Sequence, residues 1–480
     1  MAASVESSSY EHNVTLESGS LLPLLPPKPF SRPLPPLPAR SSSSRLLPGW
    51  TRVTFVLPAA FPRSYEGSIK PPHAPRAAFP PPDEKGRINP KQTFEALVKP
   101  QVDGFKQSVS LEDARELKAQ EQLAVVVNRY RPEKQEKREG EKALTLVFSH
   151  ANGFYKEVWE PTLSSLLDRL ETDGKALPVE EVWALDCINQ GDSAVLNDEV
   201  LGDVFNWADH GRDLLNFIIS YIDSPTLSSP SSSSTPAVLS PASSVPSALF
   251  SLDTTPPPPG LSPPTSRTYR NRLIVAIGHS LGGGATAYAS TALPSLFSSV
   301  IFVDPVLPTP DIQTRAMEKL TTGALVRREK WKSREEAMKG FTKKPFFAAW
   351  DRGVLEGYVE HGLREVSGGV ALKMTARNEA LTFCDPMAVA ARRACARLVS
   401  LPPTLPVHFI FADVNRSVLS EDIILHIRNT AVPHATVSRV KGAGHLVVHE
   451  KPEETARLIK EVLERTYPRE GTEEGKKAKL

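Results

Sequence analysis

Cysteine is scarce in this sequence. Three occur in 480 residues, Cys187, Cys384 and Cys395, at no metal-ligating or redox spacing. That usage fits a disulfide-free fold in a reducing compartment. An excess of one charge is also missing. Lys and Arg number 57 against 55 Asp and Glu, a net charge of +2, and no basic stripe is interleaved with aromatics. The balance itself argues neither way, but without such a stripe no nucleic-acid partner is expected. No apolar run approaches the ~20 residues needed to span a bilayer, so no transmembrane segment is expected. The N-terminus shows no basic stretch followed by an apolar one, and no secretory signal is expected.

Proline is abundant instead, with 45 residues, many of them gathered in two serine-rich stretches. One lies in residues 1–48 (LLPLLPPKPFSRPLPPLPARSSSSR). The other lies in 224–267 (SSPSSSSTPAVLSPASSVP and TTPPPPGLSPPTS). Such composition buries too little apolar surface to offset the entropy of ordering a chain. The sequence therefore divides into a disordered tail (1–48), one domain (49–467) and a charged tail (468–480). Residues 224–267 form a disordered insertion within the domain. Loop-closure entropy grows only logarithmically, so a long surface insertion is tolerated.

Inside the domain, short apolar runs alternate with helical stretches. Trp50–Leu57 and Leu123–Tyr130 read as strands, with an irregular, proline-rich stretch from 58 to about 95. Strands follow at Leu144–Ser149, Val182–Asp186, Leu273–Ile277, Val300–Asp304, Val407–Ala412 and Thr436–Val440. Between them lie the helical patterns Tyr155–Leu170, Val204–Ile222, Ser420–Thr430 and Pro452–Thr466. Alternation of this kind predicts a mostly parallel, doubly wound α/β sheet with helices on both faces. Residues 308–399 leave the rhythm. Phe347, Trp350, Val354, Leu355, Tyr358 and Val359 recur there at helical spacing, which predicts a helical cap inserted between two sheet strands.

The chemistry centres on Gly278-His279-Ser280-Leu281-Gly282. A β-branched run ends at a glycine, one serine follows, and an alanine-rich helical run begins. This is the G-x-S-x-G nucleophile elbow in its strand–turn–helix setting. The flanking positions must be small for strand and helix to approach. The turn lifts the hydroxyl clear of the sheet and aims the first helical amides at a reacting carbonyl. A serine hydroxyl needs a base, and the base needs an orienting group. His445, in Lys441-Gly442-Ala443-Gly444-His445 after the last strand, is the expected base. His279 reads as packing beneath the elbow. For the acid, the turn after Val407–Ala412 offers Asp413, with Asn415 in the register where a carboxylate is usual. The end of the preceding strand offers Asp304. Asp304 is preferred and Asp413 is the alternative. The oxyanion donors are expected to be the amide of Leu281 and that of Asn152 or Ala151, in His150-Ala151-Asn152-Gly153 after a strand. No cofactor or metal is required. Ser280 speaks against the aspartate nucleophile that epoxide hydrolases and dehalogenases use; the main rival is a non-catalytic or divergent scaffold with a binding role, ahead of an epoxide hydrolase or a C–C hydrolase.

With these residues placed, the chain resembles an α/β-hydrolase, and more narrowly the fungal peroxisomal lipase and toxin-biosynthesis hydrolase group. The likeness rests on HANGFYKEVWEP (150–161), LDCINQGDSAVLN (185–197), FNWADHGRDLLNF (205–217), GHSLGG (278–283) and GAGHLV (442–447). The resemblance implies Ser280 as nucleophile and His445 as base, and it favours Asp304. The expected activity is hydrolysis of carboxylic esters or thioesters with an apolar acyl part, of the esterase, lipase or thioesterase type. The last residues, Ala478-Lys479-Leu480, are a conservative variant of the Ser-Lys-Leu peroxisomal address. The peroxisomal import receptor is therefore an expected partner, and the peroxisomal matrix the expected location.

Overall fold

The computed structural model describes residues 21–22, 24–38, 48–72, 74–76, 84, 89–106, 120–134, 142–224, 227, 236–241, 272–308, 315–385 and 389–469. Its strands in chain order are β1 (Trp50–Pro58), β2 (Ala124–Pro132), β3 (Ala143–Ser149), β4 (Val179–Leu185), β5 (Ala237–Val238) and β6 (Arg272–His279). They continue with β7 (Ser299–Val303), β8 (Lys330–Trp331), β9 (Leu363–Val366), β10 (Gly369–Leu372), β11 (Val407–Phe411) and β12 (Thr436–Arg439). Nine of the described strands form one sheet in the order β12-β11-β7-β6-β3-β4-β2-β1-β5. Neighbours from β12 to β4 run parallel, while β2 is antiparallel to both β4 and β1.

Burial on both faces explains the composition of the central strands. Every residue of β7 is buried, as are Ile274 to His279 of β6, so these read as continuous apolar runs rather than alternating ones. One face packs the helices Trp207–Ser220, Leu281–Ala292 and Val389–Arg397; the other packs Glu160–Asp173 and Pro452–Thr466. Loops at the C-terminal ends of β3, β4, β6, β7 and β11 converge on one edge. In an open parallel sheet this edge is where ligands bind.

The N-terminal segment departs from the expected disorder. Leu21, Leu22 and Leu24 are buried, and Leu25 bridges Phe61. Phe30, Leu34 and Leu37 lie on an apolar strip formed by Val56, Ala124, Val126 and Leu196. The reason lies in the helix Trp207–Ser220, all of whose residues are buried although its sequence carries a polar face. Arg212 donates to Leu22 O at 2.8 Å and Pro62 O at 2.6 Å, and pairs with Asp209 at 2.6 Å. Asp213 pairs with Arg63 at 2.6 Å and accepts from Ala60 N at 2.8 Å. Leu22 from the chain start, together with Ala60, Pro62 and Arg63 after β1, satisfies that face, as buried polar groups require.

Three further differences from the expected organisation appear. Pro90–Lys106 is a helix, not irregular chain; it packs Leu97, Val98 and Val102 against Ala324, Leu325 and Leu381. Part of the 224–267 insertion is ordered, since β5 adds to the edge of β1. The region between β7 and β11 holds six described α-helices and also a three-stranded sheet, β8-β10-β9. Residues 1–20, most of 224–267 and Ala478-Lys479-Leu480 lie outside the described residues.

Three buried leucines at roughly 1.5–3 kcal/mol each, discounted for a compact unfolded chain, give about 3–6 kcal/mol. A chain starting at residue 39 is expected to lose that much stability in urea denaturation. An unchanged midpoint would show that the segment contributes nothing.

Candidate active site

Strand β6 ends at His279 and the next helix begins at Leu281, so Ser280 alone makes the turn. Its backbone sits at φ 55° and ψ −115°, a region that residues other than glycine seldom adopt. Three hydrogen bonds of 3.2 Å hold it there: Ser280 N donates to Val303 O, and Gly284 N and Val306 N donate to Ser280 O. The flanking glycines are sterically required. A Cβ at Gly278 would strike the carbonyl of Gly282, and one at Gly282 the carbonyl of Ser149 at the end of β3.

Ser280 Oγ lies 3.0 Å from His445 Nε2, and His445 Nδ1 lies 2.6 Å from Asp304 Oδ2. A carboxylate only accepts, so Nδ1 carries the proton and Nε2 of the neutral ring accepts from the hydroxyl. Ser280 is 6 % exposed and Asp304 0 %. Asp304 directly follows β7 with a positive φ of 36°, which turns it toward β11. Its carboxylate accepts from Ala412 N at 2.9 Å, Ser417 Oγ at 2.6 Å and Val418 N at 3.3 Å, besides His445. Burial alone would raise this carboxyl. The His445 hydrogen bond and charge, with Ser417 and Ala412, outweigh it and hold the group below the ordinary carboxylate value.

Asp413 does not reach the imidazole. Its carboxylate accepts from Gly442 N at 2.7 Å and Val414 N at 2.8 Å, and its own amide donates to Ala443 O. It holds the turn that leads to His445. Asn415 is exposed, with φ 60°. His279 is wholly buried, and its Nε2 donates to the carbonyl of His445 at 3.0 Å. Burial pushes it down to about 3, helped by the nearby His445. His449, beside Phe154 and Trp350, is driven well below the ordinary value by burial and by its histidine neighbours. Both rings are neutral props.

The loop after β3 runs beside the elbow. Gly282 N donates to His150 O at 3.2 Å, so the Ala151 N–H, on the opposite edge of that trans peptide, faces away from the elbow. His150 Nδ1 donates to Ala151 O at 2.8 Å while its Nε2 accepts from Cys187 N. That fixes the peptide carrying the Asn152 N–H. Among the described residues, no acceptor pairs with the amides of Leu281, Ala151 or Asn152.

Sequence reasoning gave no role to the cluster beneath this loop. Lys156 Nζ meets Asp186 at 2.9 Å, Asp192 at 2.6 Å and Glu157 at 3.1 Å, and Lys373 Nζ meets Asp192 at 2.7 Å. All five side chains are buried. Burial, reinforced by Glu157 and Asp192 against the pull of Lys156, pushes Asp186 up to about 6. Ser417 and Gln190 also escaped notice, because a lone loop Ser or Gln carries no sequence signal. Phe154 meets Trp350 and Tyr358 of the inserted region, and Asp351 N donates to His449 O at 2.7 Å, so that region lies over the loops of the site. A small cleft, with room for about one water molecule, is lined by Phe154, Tyr155, Tyr358, Lys373 and Met374; Ser280 does not line it. Among the described residues no group of three or more His, Cys, Asp or Glu is arranged to hold a metal, and no helix is long and apolar enough to cross a membrane.

Comparison with known proteins adds to this geometry. The chain is 25% identical to the type I acyl-CoA thioesterase mpaH of Penicillium brevicompactum over 254 residues, 52% of this chain and 46% of that protein. It is 30% identical to the peroxisomal membrane protein LPX1 of Saccharomyces cerevisiae over 166 residues, 35% of this chain and 32% of that one. The chain thus spans less than half the length of these curated relatives. The solved structure of the peroxisomal alpha-beta-hydrolase Lpx1 from Saccharomyces cerevisiae superposes with a TM-score of 0.58 at 19% identity. That alignment covers 90% of this chain and 95% of that one, a likeness of fold. The model of the alpha/beta hydrolase family matches residues 146–458. With the strand order of the sheet and the serine turn after β6, this places the protein in the alpha/beta hydrolase family.

Proposed function

We propose that this protein is a serine hydrolase that cleaves carboxylic esters or thioesters with an apolar acyl part. The observation that carries the reading is the unbroken hydrogen-bonded chain from Ser280 Oγ through His445 to the buried Asp304. As Ser280 Oγ attacks the acyl carbonyl carbon, its proton passes to His445 Nε2. The carbonyl π electrons move onto oxygen, and the Leu281 and Asn152 amides receive the oxyanion. The tetrahedral species expels the alcohol or thiol, which takes the proton from His445. Water then attacks the acyl carbon while His445 removes its proton; the second tetrahedral species breaks the acyl–Ser280 bond, Ser280 Oγ takes the proton back from His445, and the carboxylic acid leaves. Asp304 orients the ring and stabilises the imidazolium by charge, which the neutral Asn415 could not do.

Two observations support the substrate class and a third the compartment. Phe154, Trp350 and Tyr358 supply an aromatic wall between the oxyanion loop and residues 308–399, which we take to be a cap over the site. One similar protein is named an acyl-CoA thioesterase, which favours thioesters among the esters. The similar yeast protein is named peroxisomal, and Ala478-Lys479-Leu480 suits the same compartment and its import receptor.

A fluorophosphonate probe is expected to label the wild type and not Ser280→Ala; labelling independent of Ser280 would sink the mechanism. Asp304→Asn should lower kcat on a chromogenic ester about 10³–10⁴-fold. Asp413→Asn, which disturbs only the His445 turn, should cost less than tenfold. The reverse ranking would move the acid to Asp413.

Stability carries the same assignment. The folded value of Asp304 lies below the unfolded value of about 3.9. Its contribution is therefore present in full above about pH 4 and is lost as the pH falls through the folded value. The gap in melting temperature between wild type and Asp304→Asn should narrow below pH 4; a gap independent of pH would deny Asp304 its charged role. A fluorescent fusion preserving the C-terminus should reach peroxisomes, and removal of Ala478-Lys479-Leu480 should leave it in the cytosol. Import that survives the deletion would refute the address.

A further inference from the structure

The loop that offers the Asn152 amide is held by a residue from another strand end. Gln190, wholly buried in the loop after β4, makes two hydrogen bonds to it. Its Nε2 donates to Asn152 Oδ1 at 2.7 Å, and its Oε1 accepts from Gly153 N at 3.1 Å. Gln190 thus brackets Asn152 from its side chain and from the amide that follows. Gln190 is itself fixed: its amide donates to Cys187 O at 3.0 Å, and its carbonyl accepts from Ala194 N at 3.1 Å.

The other half of the Asn152 amide faces the inserted region. Asn152 Nδ2 donates to Glu379 O at 3.2 Å, in the helix Ala376–Phe383. The same helix receives two more donors from the sheet side. Asn189 Nδ2 reaches Thr382 Oγ1 at 2.8 Å and Asn378 O at 3.3 Å, and Trp207 Nε1 reaches Thr382 O at 3.0 Å. Directional hydrogen bonds tie the two sides of this seam. An Asn side chain has one acceptor end and one donor end. Gln190 takes the first and the Glu379 carbonyl takes the second, so the orientation of Asn152 depends on both partners at once.

We infer that Gln190 is a positioning residue that, through Asn152, couples the oxyanion donors to the seating of the helix Ala376–Phe383. The inference rests on the hydrolase reading above. With the helix seated, the Asn152 amide is fixed for the developing oxyanion; with it lifted, Asn152 loses one of its two anchors and the donor turns away. The substrate carbonyl in the ground state gains little from such a donor, whereas the tetrahedral oxyanion gains much. Loss of Gln190 should therefore appear in kcat and not in KM.

The test uses the full chain, a chromogenic short-chain ester and an alkyl boronic acid as a mimic of the tetrahedral state. Gln190→Met keeps the volume and removes both hydrogen bonds. Gln190→Glu, assayed at pH 8.5, keeps the acceptor for Gly153 N but loses the donor to Asn152 Oδ1. Gln190→Met is expected to lower kcat about 10–100-fold with KM within threefold, and boronate affinity should fall with kcat/KM. Gln190→Glu should fall about tenfold, and it decides the matter if Gln190→Met does not fold. A folded variant with kcat within threefold of wild type, or a loss confined to KM, overturns the inference alone. A wild type without Ser280-dependent turnover overturns the hydrolase reading and this inference with it.

Discussion

A carboxylate without solvent, Asp304, sets the terms for the rest of the site. An ionised group in the interior costs several kcal/mol unless hydrogen bonds replace its water. Here the replacements come from three places: the end of β11 (Ala412), the turn after it (Ser417 and Val418) and the loop after β12 (His445). No single segment could satisfy the group. Because Asp304 must be satisfied from all three, those loops are locked to one another and to the end of β7. The same lock puts His445 Nε2 at the hydroxyl of Ser280.

Around this one charge the other ionisable neighbours are silenced. His150, His279 and His449 surround the site and are all wholly buried. Burial lowers His150 to about 4 and His279 to about 3, and it holds His449 well below the ordinary value. A protonated neighbour would oppose the imidazolium that the proposed mechanism needs at His445, since like charges nearby disfavour ionisation. Neutral rings instead act as fixed shapes: His150 and His279 hydrogen-bond, while His449, with neither ring nitrogen paired among the described residues, packs against Phe154 and Trp350. His150 sets the Ala151–Asn152 peptide, and His279 holds the carbonyl of His445. The x position of G-x-S-x-G thereby ties the serine turn to the histidine loop.

The parts legible in the sequence are those written by local rules. Strand β6, the small residues around Ser280 and the loop before His445 each leave a contiguous pattern, because strain and close approach restrict residue type at adjacent positions. The acid was not decidable in this way. Asp304 and Asp413 both follow apolar strands, and the distinction lies in the backbone path, a φ of 36° at Asp304 and the use of Asp413 by Gly442 N. Composition misled at the N-terminus. Proline and serine mark a segment that cannot build its own core, yet Leu21, Leu22 and Leu24 join a core built by others. Proline also hid the helix Pro90–Lys106, whose Phe94, Leu97, Val98 and Val102 keep helical spacing despite Pro100. Gln190 left no trace, since a buried amide is recognised only by what it touches.

The polar seam between the sheet loops and the inserted region follows from the same physics as the acid. Lys373 enters from the inserted region and pairs with Asp192, while Lys156 faces Asp186, Asp192 and Glu157 from below. Without Lys373 the buried cluster would set three carboxylates against one ammonium, a balance that burial strongly penalises. The inserted region is therefore held by charge at one end and by the Asn152, Asn189 and Trp207 donors at the other. Between them the region also packs its aromatics on the site loops, Trp350 and Tyr358 against Phe154 and Tyr155. The directional contacts fail together when the region lifts, because the donors lose their acceptors at once. In the proposed enzyme, opening for substrate and closing for chemistry would thus be linked to the amide that receives the oxyanion, with Gln190 as the fixed point.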